Sequence, residues 1–389
     1  MSNVTVSDSI KYIGADDLDI DLFESQYVVP NGISYNSYVI LDEKVVVMDT
    51  IDKRKTDEWL KNLDNALNGR KVDYLVVQHM EPDHAASIKI LTDKFPEMQI
   101  VGNVKTFNML PQFFDLDLED RKLVVKEGDT LNIGVHTLKF IMAPMVHWPE
   151  VMVTYEESEK ILFSADGFGK FGALSIDEDW ACEARRYYFN IVGKYGFQVQ
   201  ALLKKAATLD IQMICPLHGP ILKENLAYYI NKYDIWSSYR PEDEGIFIAY
   251  ASIHGNTAEA AKQFAEILKA KGAAKVSVAD LSRSDMAENI EDAFRYNKLV
   301  LAASSYDGGV FPVMQDFLLH LKSKNYQNRT IAIIENGSWA PSAARTMKGI
   351  LETMKNLTVL ENVVTIKSTV KPETVTALET LADELISAE

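Results

Sequence analysis

The sequence predicts an α/β protein of two successive domains, residues 1–243 and residues 244–389. In the second domain, short apolar segments alternate regularly with amphipathic helical ones, which is typical of a parallel sheet covered on both faces. In the first domain, extended segments dominate and follow one another through hairpins and crossovers, which favours two sheets with helices outside them. The polar segment Arg240–Gly245, which contains proline and glycine, separates the two patterns.

The elements of the first domain are mostly short and extended. Apolar runs bounded by polar or turn residues predict strands at Tyr38–Leu41, Val45–Met48, Tyr74–Val77, Leu123–Val125, Leu138–Ala143, Val151–Tyr155 and Lys160–Ser164. Amphipathic spacing predicts helices at Thr56–Leu67, Ala85–Lys94, Val104–Gln112 and Tyr195–Ala207. Glu157–Lys160 is interpreted as the hairpin turn between the last two strands.

The elements of the second domain alternate strictly. Strands are predicted at Ile246–Tyr250, Val276–Ala279, Leu299–Ala303, Ile331–Ile334 and Val363–Ile366. Between them lie helical segments such as Thr257–Lys269 and Val313–Lys322. Five short apolar strands joined by helices suit a small doubly wound domain, whose ligands bind at the carboxyl ends of the strands.

The composition is that of an ordinary globular protein, with 47% hydrophobic and 25% charged residues among 389. The two cysteines, Cys182 and Cys215, provide neither a disulfide framework nor an iron–sulfur site. A net charge of −16 argues against nucleic acid as a partner, because an acidic surface repels phosphates. The N-terminus has no basic start and no apolar signal core, and no apolar run approaches the roughly 20 residues of a membrane helix. We therefore expect a cytoplasmic protein without a membrane partner.

A cluster of polar side chains follows the predicted strand Tyr74–Val77. It contains His79, Glu81, Asp83 and His84, with Pro82 disfavouring helix at Glu81 and fixing the turn. Alternate residues of this loop can therefore point to a common side. Three further candidates, His147, Asp166 and His218, each come directly after an apolar run, where functional sites are usually built.

Two interpretations of these residues were weighed. A lone histidine after a strand is usually a surface or satisfied core residue, and we assign that role to His136 and His320. For the cluster this interpretation fails, because acidic residues and histidines at apolar strand ends would leave buried charges unpaired. A metal centre supplies the missing countercharge, so the cluster predicts metal binding.

Three loops of the second domain predict a phosphate-bearing ligand. The first joins a strand to the helix at Thr257, whose amino end favours an anion, although such residues are often only a helix cap. Tyr306 and Trp339, on the later loops, could flank a planar ring, although either could equally be a capping aromatic. His254 is expected either to donate a hydrogen bond to the phosphate or to face solvent. The predicted cofactor-binding residues are Ser252, His254, Gly255, Asn256, Thr257, Ser304, Tyr306, Asp307, Gly308, Gly337, Ser338 and Trp339.

The first domain resembles the metallo-β-lactamase superfamily in its His-x-Glu-x-Asp-His loop and the later His, Asp and His. Glu81 stands where the common hydrolases have histidine, and this change is the signature of flavodiiron proteins. Supporting motifs are Ala165-Asp166-Gly167, Trp148 after His147, and Pro216-Leu217-His218-Gly219-Pro220. The resemblance covers nearly the whole chain and implies a metallo-β-lactamase-like αββα sandwich followed by a flavodoxin-like sheet that binds FMN.

The resemblance also implies two irons per chain. His79, Glu81, His147 and the bridging Asp166 would hold one, and Asp83, His84, His218 and Asp166 the other. A carboxylate is a harder ligand than imidazole, so Glu81 favours an oxygen-rich site suited to iron. Tyr27, Trp148 and Phe168 are candidates for lining the site, although each is more often plain packing.

The function implied is reduction of O2 to water, of NO to N2O, or of both. A head-to-tail homodimer or a dimer of dimers would bring FMN of one subunit to the irons of the other. Because the chain has no Cys-x-x-Cys pair, a separate rubredoxin-type donor is expected. The alternatives are a zinc-dependent hydrolase fused to a flavodoxin-like domain, against which Glu81 argues, and a flavin electron carrier with a structural metal.

Overall fold

The computed structural model describes residues 4–118 and 120–388, which form two compact units. The first unit comprises Met1–Tyr187 and Phe197–Tyr233, and the second comprises Tyr188–Gly196 and Asp234–Glu389. The first contains mixed sheets and the second a parallel sheet, so the predicted fold class is confirmed. No helix among the described residues combines the length and the apolar character needed to cross a membrane.

The first unit consists of short strands with helices between them. Its strands are β1 (Ile10–Tyr12), β2 (Ala15–Asp17), β3 (Leu22–Phe23), β4 (Tyr27–Val28), β5 (Ile33–Tyr35), β6 (Tyr38–Leu41), β7 (Val45–Met48), β8 (Tyr74–Val76), β9 (Gln99–Gly102), β10 (Lys122–Val124), β11 (Thr130–Asn132), β12 (Thr137–Met142), β13 (Met152–Glu156), β14 (Ile161–Phe163) and β15 (Met213–Cys215). Its helices are α1 (Thr56–Leu67), α2 (Pro82–Ala85), α3 (Ile88–Lys94), α4 (Val104–Phe113), α5 (Trp180–Tyr187), α6 (Gly196–Ala206) and the greater part of α7 (Leu226–Ser237).

Two sheets enclose the core of this unit. The first has the order β1-β6-β7-β8-β9-β10 and the second the order β11-β12-β13-β14-β15. Side chains of both sheets, such as Met48 and Val76 from one and Phe140 and Phe163 from the other, are fully buried in one cluster. Burying these faces against each other removes apolar surface from water, the main favourable term in folding.

The strand directions place several loops at one edge. In the first sheet β7, β8, β9 and β10 run parallel. In the second, β14 and β15 are parallel, while β13 is antiparallel to both β12 and β14. The chain therefore leaves β12, β14 and β15 at the same edge of that sheet.

The second unit is a doubly wound sheet. Its strands are β16 (Asp243–Ala251), β17 (Val276–Asp280), β18 (Tyr296–Tyr306), β19 (Gly309–Val310), β20 (Gln327–Asn336) and β21 (Lys355–Ile366). Its helices are α8 (Asn256–Ala270), α9 (Met286–Arg295), α10 (Pro312–Ser323), α11 (Ala343–Leu351) and α12 (Pro372–Ser387). The order β17-β16-β18-β20-β21, with all these pairs parallel, is the flavodoxin-like order.

A short segment from the first half of the sequence packs within the second unit. Residues 188–196 form a π-helical turn followed by a 3-10 turn. The ring of Phe189 stacks on Phe294 with centroids 4.2 Å apart, and Asn190 Nδ2 donates to the carbonyl of Ala287 at 3.1 Å. The sequence pattern did not indicate this segment, and the boundary predicted between residues 243 and 244 stays a prediction.

One predicted helix is interrupted. Instead of a continuous helix over Ala85–Lys94, α2 ends at Ala85 and α3 begins at Ile88. The buried Ser87 lies between them, and its hydroxyl donates to the carbonyl of Ile51 at 3.2 Å and pairs with Thr56 Oγ1 at 2.8 Å. Such side-chain bonds compete with helix continuation.

Candidate metal centre and cofactor pocket

All seven predicted metal ligands lie on loops or helix starts that follow the strands of the first unit. They are His79, Glu81, Asp83 and His84 after β8, His147 between β12 and β13, Asp166 after β14, and His218 after β15. Glu81 has an extended backbone at ψ 137° and Pro82 is the first residue of α2. Pro82 therefore ends the loop as predicted, because its missing N–H costs nothing at a helix start.

Four of these side chains converge on one point. Nε2 of His79 and Nε2 of His147 lie 3.1 and 3.0 Å from Glu81 Oε2. Both nitrogens also lie 3.2 Å from Asp166 Oδ2. Burial would raise the pKa of Glu81, but hydrogen bonds from His147 and His79 lower it, so this carboxylate is held ionised.

The other three converge beside the first group. Nε2 of His84 and Nε2 of His218 each lie 3.2 Å from Asp83 Oδ2. They lie 3.2 and 3.7 Å from Asp166 Oδ1. Asp166 thus faces one group with Oδ2 and the other with Oδ1, which is the arrangement of a carboxylate that bridges two metal ions.

The polar atoms of these groups fit metal ions better than they fit each other. Both oxygens of Asp83, both oxygens of Asp166 and Nε2 of His218 are buried without a hydrogen-bond partner, despite their short separations. Unpaired buried polar atoms are costly. Burial, with Glu81 and Asp166 nearby, also raises the pKa of Asp83 to about 7. Two cations would provide partners for Asp83 Oδ2, for both oxygens of Asp166 and for Nε2 of His218, and the mixture of imidazole and carboxylate suits iron.

Two backbone and side-chain contacts orient the ligand histidines. Nδ1 of His79 donates to Glu150 Oε1 at 2.8 Å, and Nδ1 of His218 donates to the carbonyl of Ser34 at 2.7 Å. In each ring this leaves Nε2 to face the carboxylates. Such outer contacts fix the tautomer and the ring orientation of metal-binding histidines.

The buried Asp49 shapes the ligand loop. It follows β7, and its carboxylate accepts hydrogen bonds from the backbone N–H of Gln78 at 2.7 Å, from Gln78 Nε2 at 2.9 Å and from the backbone N–H of His79 at 3.3 Å. Neither Asp49 nor Glu150 was predicted from the sequence. The signal was available, since Asp49 directly follows an apolar strand and Glu150 directly precedes one.

Aromatic rings surround the candidate metal centre. Phe23 and Tyr187 lie 5.4 and 5.5 Å from the ring of His218, and Trp148 lies 5.3 Å from the ring of His79. Trp148 was predicted to line the site and lies against it. Of the other two candidates, Tyr27 packs on Phe171 and Phe168 packs on Tyr233, at 5.8 and 4.3 Å.

The hairpin β3–β4 carries Phe23 to the centre. Its loop has three residues, of which the first two, Glu24 and Ser25, have φ of 48° and 57°, as in the tight turns that match the twist of two strands. Arg186 Nη2 donates to the carbonyl of Val28 on this hairpin. The guanidinium of Arg186 also lies 4.8 Å from the ring centre of Phe171, so the arginine joins the hairpin to the rings below it.

A cavity of about 680 Å³ opens at the carboxyl edge of the parallel sheet in the second unit. Every predicted cofactor-binding residue except Gly255 lines it. The prediction missed six of its lining residues, Ile253, Ser305, Asn336, Ala340, Ser342 and Ser368. Ser368 follows the end of β21 and its hydroxyl pairs with that of Ser338 at 2.7 Å, a contact across strands that no local motif reveals.

One end of this cavity suits a phosphate. Gly255 precedes α8 with φ 92°, a conformation that favours glycine, and no side chain caps this helix. The hydroxyls of Thr257 and Ser304 pair at 2.9 Å, and Ser252 Oγ accepts from the backbone N–H of Gly255 at 3.1 Å. An uncapped helix start with hydroxyls beside it favours a phosphate anion.

The other end suits a planar ring. Tyr306 and Trp339 both line the cavity, and their side chains are 45% and 91% exposed. Large apolar side chains left this exposed on a monomer often mark a binding site. Of the residues lining the cavity, His254 alone can carry a positive charge.

Two family models match the chain. The one described as ODP family beta lactamase matches residues 33–219, and the one described as flavodoxin matches residues 248–376. An uncharacterized protein of Methanocaldococcus jannaschii is 31% identical over 374 residues, which cover 95% of this chain and 94% of that protein. An anaerobic nitric oxide reductase flavorubredoxin of Vibrio vulnificus is 29% identical over 348 residues, or 86% of this chain and 70% of that protein.

Solved structures match the complete architecture. Rubredoxin oxygen:oxidoreductase from Desulfovibrio gigas superposes with a TM-score of 0.92 at 25% identity, covering 98% of this chain and 97% of that one. A mutant of the flavo di-iron protein from Thermotoga maritima superposes with a TM-score of 0.88 at 26% identity, covering 97% and 95%. The similarity extends over both units of the chain.

Proposed function

This chain belongs to the flavodiiron proteins, and from that premise we propose that it reduces O2 to water, NO to N2O, or both, at two iron ions that receive electrons through FMN. The observation that carries the proposal is the convergence of seven side chains into two groups that share Asp166. His79, Glu81, His147 and Asp166 would hold one iron, and Asp83, His84, His218 and Asp166 the other.

The bound cofactors would supply single electrons, four with four protons for each O2 that becomes two waters, and two with two protons for each pair of NO that becomes N2O and water. The residues of the chain hold and shield this chemistry. Asp166 keeps the two metal positions adjacent, and Glu81 makes the first position richer in oxygen ligands. The rings of Phe23, Tyr187 and Trp148 limit the water that reaches the centre.

FMN would bind in the cavity of the second unit. We assign the phosphate to the loop and helix start at residues 252–257, where uncapped backbone N–H groups and hydroxyls favour an anion. We assign the isoalloxazine ring to the end of the cavity that Tyr306 and Trp339 line. The remaining predicted residues, Asp307, Gly308, Gly337 and Ser338, would lie along the cofactor.

The proposal extends to the oligomeric state and to the electron donor. We propose a head-to-tail homodimer or dimer of dimers, in which FMN of one subunit serves the irons of another, with a separate rubredoxin-type donor. We also propose that the protein is cytoplasmic, as expected from its sequence. We also propose that the boundary between the two domains lies between residues 243 and 244.

The function is tested by gas reduction in an iron-loaded, FMN-loaded preparation. Reduced rubredoxin, regenerated by NADH and a reductase, is the donor, and O2 consumption and N2O formation are measured separately. We expect turnover with at least one gas, and we expect Asp166→Asn to lose iron and turnover together. Asp210→Asn is the matched control, because Asp210 pairs with Lys160 on the surface and should leave both quantities unchanged.

Two results would contradict the proposal in different ways. A protein that holds two irons and FMN but turns over neither gas would remove the assigned reaction. Rapid oxidation of NADH with O2 in the absence of any carrier would remove the separate donor. Bound zinc together with ester or phosphodiester hydrolysis would instead support a hydrolase.

A further inference from the structure

The inference concerns Glu150, the carboxylate behind His79. Glu150 lies between His147 and strand β13 and is fully buried. Its Oε1 lies 2.8 Å from His79 Nδ1 and 2.8 Å from the backbone nitrogen of Met80. Its own backbone carbonyl accepts from Asn103 Nδ2 at 2.5 Å, so the residue is held from both ends.

These contacts determine the direction of the hydrogen bonds. The backbone N–H of Met80 can only donate, so Oε1 of Glu150 acts as an acceptor. His79 Nδ1 therefore carries the hydrogen, and Nε2 presents its lone pair toward Glu81 and Asp166. The second oxygen, Oε2, is buried without a hydrogen-bond partner, so little besides His79 and Met80 disperses the negative charge.

The other ligand histidines have no such support. His218 Nδ1 donates to the neutral carbonyl of Ser34 at 2.7 Å, and Nδ1 of His84 is buried without a partner. Across residues 4–118 and 120–388, the carboxylate contacts of His84, His147 and His218 all run through Nε2, on the side of the candidate metals. A carboxylate behind the ring makes imidazole a more basic ligand than a carbonyl does.

We propose that Glu150 is a positioning residue that makes the two metal positions unequal. The position held by His79, Glu81, His147 and Asp166 binds a divalent metal more tightly than the position held by Asp83, His84, His218 and Asp166. This inference rests on the proposed function, because it takes the seven residues as ligands. It adds an order of affinity to the two positions.

The test is a metal titration that needs no turnover. The full-length protein is freed of metal with a chelator and titrated anaerobically with Co2+, whose visible bands report the ligand environment, while calorimetry reports affinity. We expect two binding steps. Glu150→Gln keeps the size of the side chain and removes its charge, and it should weaken the tighter step by about 10- to 100-fold while leaving the weaker step unchanged.

Glu156→Gln is the matched control. Glu156 is also a fully buried glutamate and ends strand β13, but its two oxygens accept from the backbone N–H groups of Ser158 and Glu159 at 2.8 and 2.7 Å. This variant should leave both steps in place. An equal loss in both glutamine variants, or a Glu150→Gln variant with an unchanged tighter step, would overturn the inference.

A second measurement remains available if Glu150→Gln does not fold. His147→Ala removes a ligand of the first position only, and His84→Ala removes a ligand of the second only. We expect the tighter step to disappear in His147→Ala and to survive in His84→Ala, and the reverse pattern contradicts the assignment. If the unsubstituted protein binds fewer than two ions, the proposed function itself fails, which is distinct from failure of the ranking.

Discussion

At the scale of single residues, Glu81 separates this site from an all-histidine metal site. Its Oε2 contacts Nε2 of both His79 and His147, so it occupies a shared position between them. A neutral imidazole in its place would remove one negative charge and one oxygen ligand. The identity of this residue therefore bears on which metal is retained.

Replacing Glu81 by histidine should change the metal. We expect Glu81→His to retain less iron and more zinc, and to lose turnover by about 10-fold or more, because imidazole suits zinc and the site has one carboxylate fewer. Metal analysis after growth with both metals measures the first effect. Glu97→His, at an exposed glutamate paired with Lys71 on the surface, should retain the original iron content.

His254 offers a second prediction at this scale. If its imidazole contacts the phosphate of FMN, His254→Ala should raise the dissociation constant of FMN by about 10-fold, the effect of losing a hydrogen bond to a charged group. Riboflavin, which has no phosphate, should bind both proteins equally. Quenching of flavin fluorescence measures both constants, and His320→Ala, at a half-exposed histidine on α10, is the control. An unchanged FMN constant would leave His254 facing solvent.

The sequence could indicate the candidate ligands because they share one simple feature. Each lies in the segment that follows an apolar strand, so a charged or polar side chain stands where a buried apolar residue is expected. The contacts that Glu150 and Ser34 make with the ligand histidines could not be assigned in this way, because they depend on which ring nitrogen each residue meets across the fold. Sequence separation hides such contacts even when the residues themselves are visible.

At the scale of elements, the hairpin β3–β4 is one of the features that the sequence did not predict. Each of its strands has two residues, too few to show any periodicity. Strand β21 was predicted only over Val363–Ile366, although it extends back to Lys355, because its earlier residues are exposed or half-buried at the edge of the sheet. The fully buried strand β7 was predicted at its observed bounds.

Loosening the hairpin should expose the metal centre. The planar guanidinium of Arg186 donates to the carbonyl of Val28 and lies over the ring of Phe171, and a lysine side chain cannot make both contacts in the same way. Arg186→Lys should therefore lower the free energy of unfolding by about 1–3 kcal/mol. We also expect faster hydrogen exchange over residues 22–28 and faster removal of iron by a chelator. Arg70→Lys is the control, because Arg70 bonds carbonyls of an exposed turn. Equal exchange rates in the two variants would contradict this role.

At the scale of the whole molecule, a charged cluster away from the metal centre contributes to stability. His136 Nδ1 lies 2.5 Å from Asp42 Oδ2, and its Nε2 lies 3.2 Å from Glu159 Oε1. Burial would lower the pKa of His136, but the bonds with Asp42 and Glu159 raise it. Burial would raise the pKa of Asp42, but bonds from His136 lower it to about 2.

The signs of these shifts fix a pH window. Because the pKa of His136 is raised in the folded protein, its ion pairs stabilise the fold fully at pH values below 6.5, the ordinary pKa of histidine. This stabilisation is lost as the pH rises through the pKa of His136 in the folded protein. Because the pKa of Asp42 is lowered, its stabilisation is present above pH 3.8, the ordinary pKa of aspartate, and is lost as the pH falls through about 2. We expect His136→Asn to cost about 1 kcal/mol near pH 5–6 and less at pH 9, measured by urea unfolding at both pH values. A cost that is independent of pH would contradict the cluster.

The overall topology was the most predictable property. Buried parallel strands are continuous apolar runs, as in Leu299–Ala303, and their alternation with helices indicates a doubly wound sheet. The packing of residues 188–196 within the second unit was not predictable. Phe189 and Asn190 resemble the residues of any buried segment, and only the fold shows what they contact.

The packing of residues 188–196 within the second unit matters when the chain is expressed as separate fragments. A gene fragment that starts at residue 244 would omit Phe189 and leave the face of Phe294 bare, with the carbonyl of Ala287 short of a donor. A fragment that stops at residue 243 would carry the ring of Phe189 without Phe294, on which it stacks. Each half expressed alone should therefore aggregate and be poorly soluble. Mixing the two halves should restore solubility.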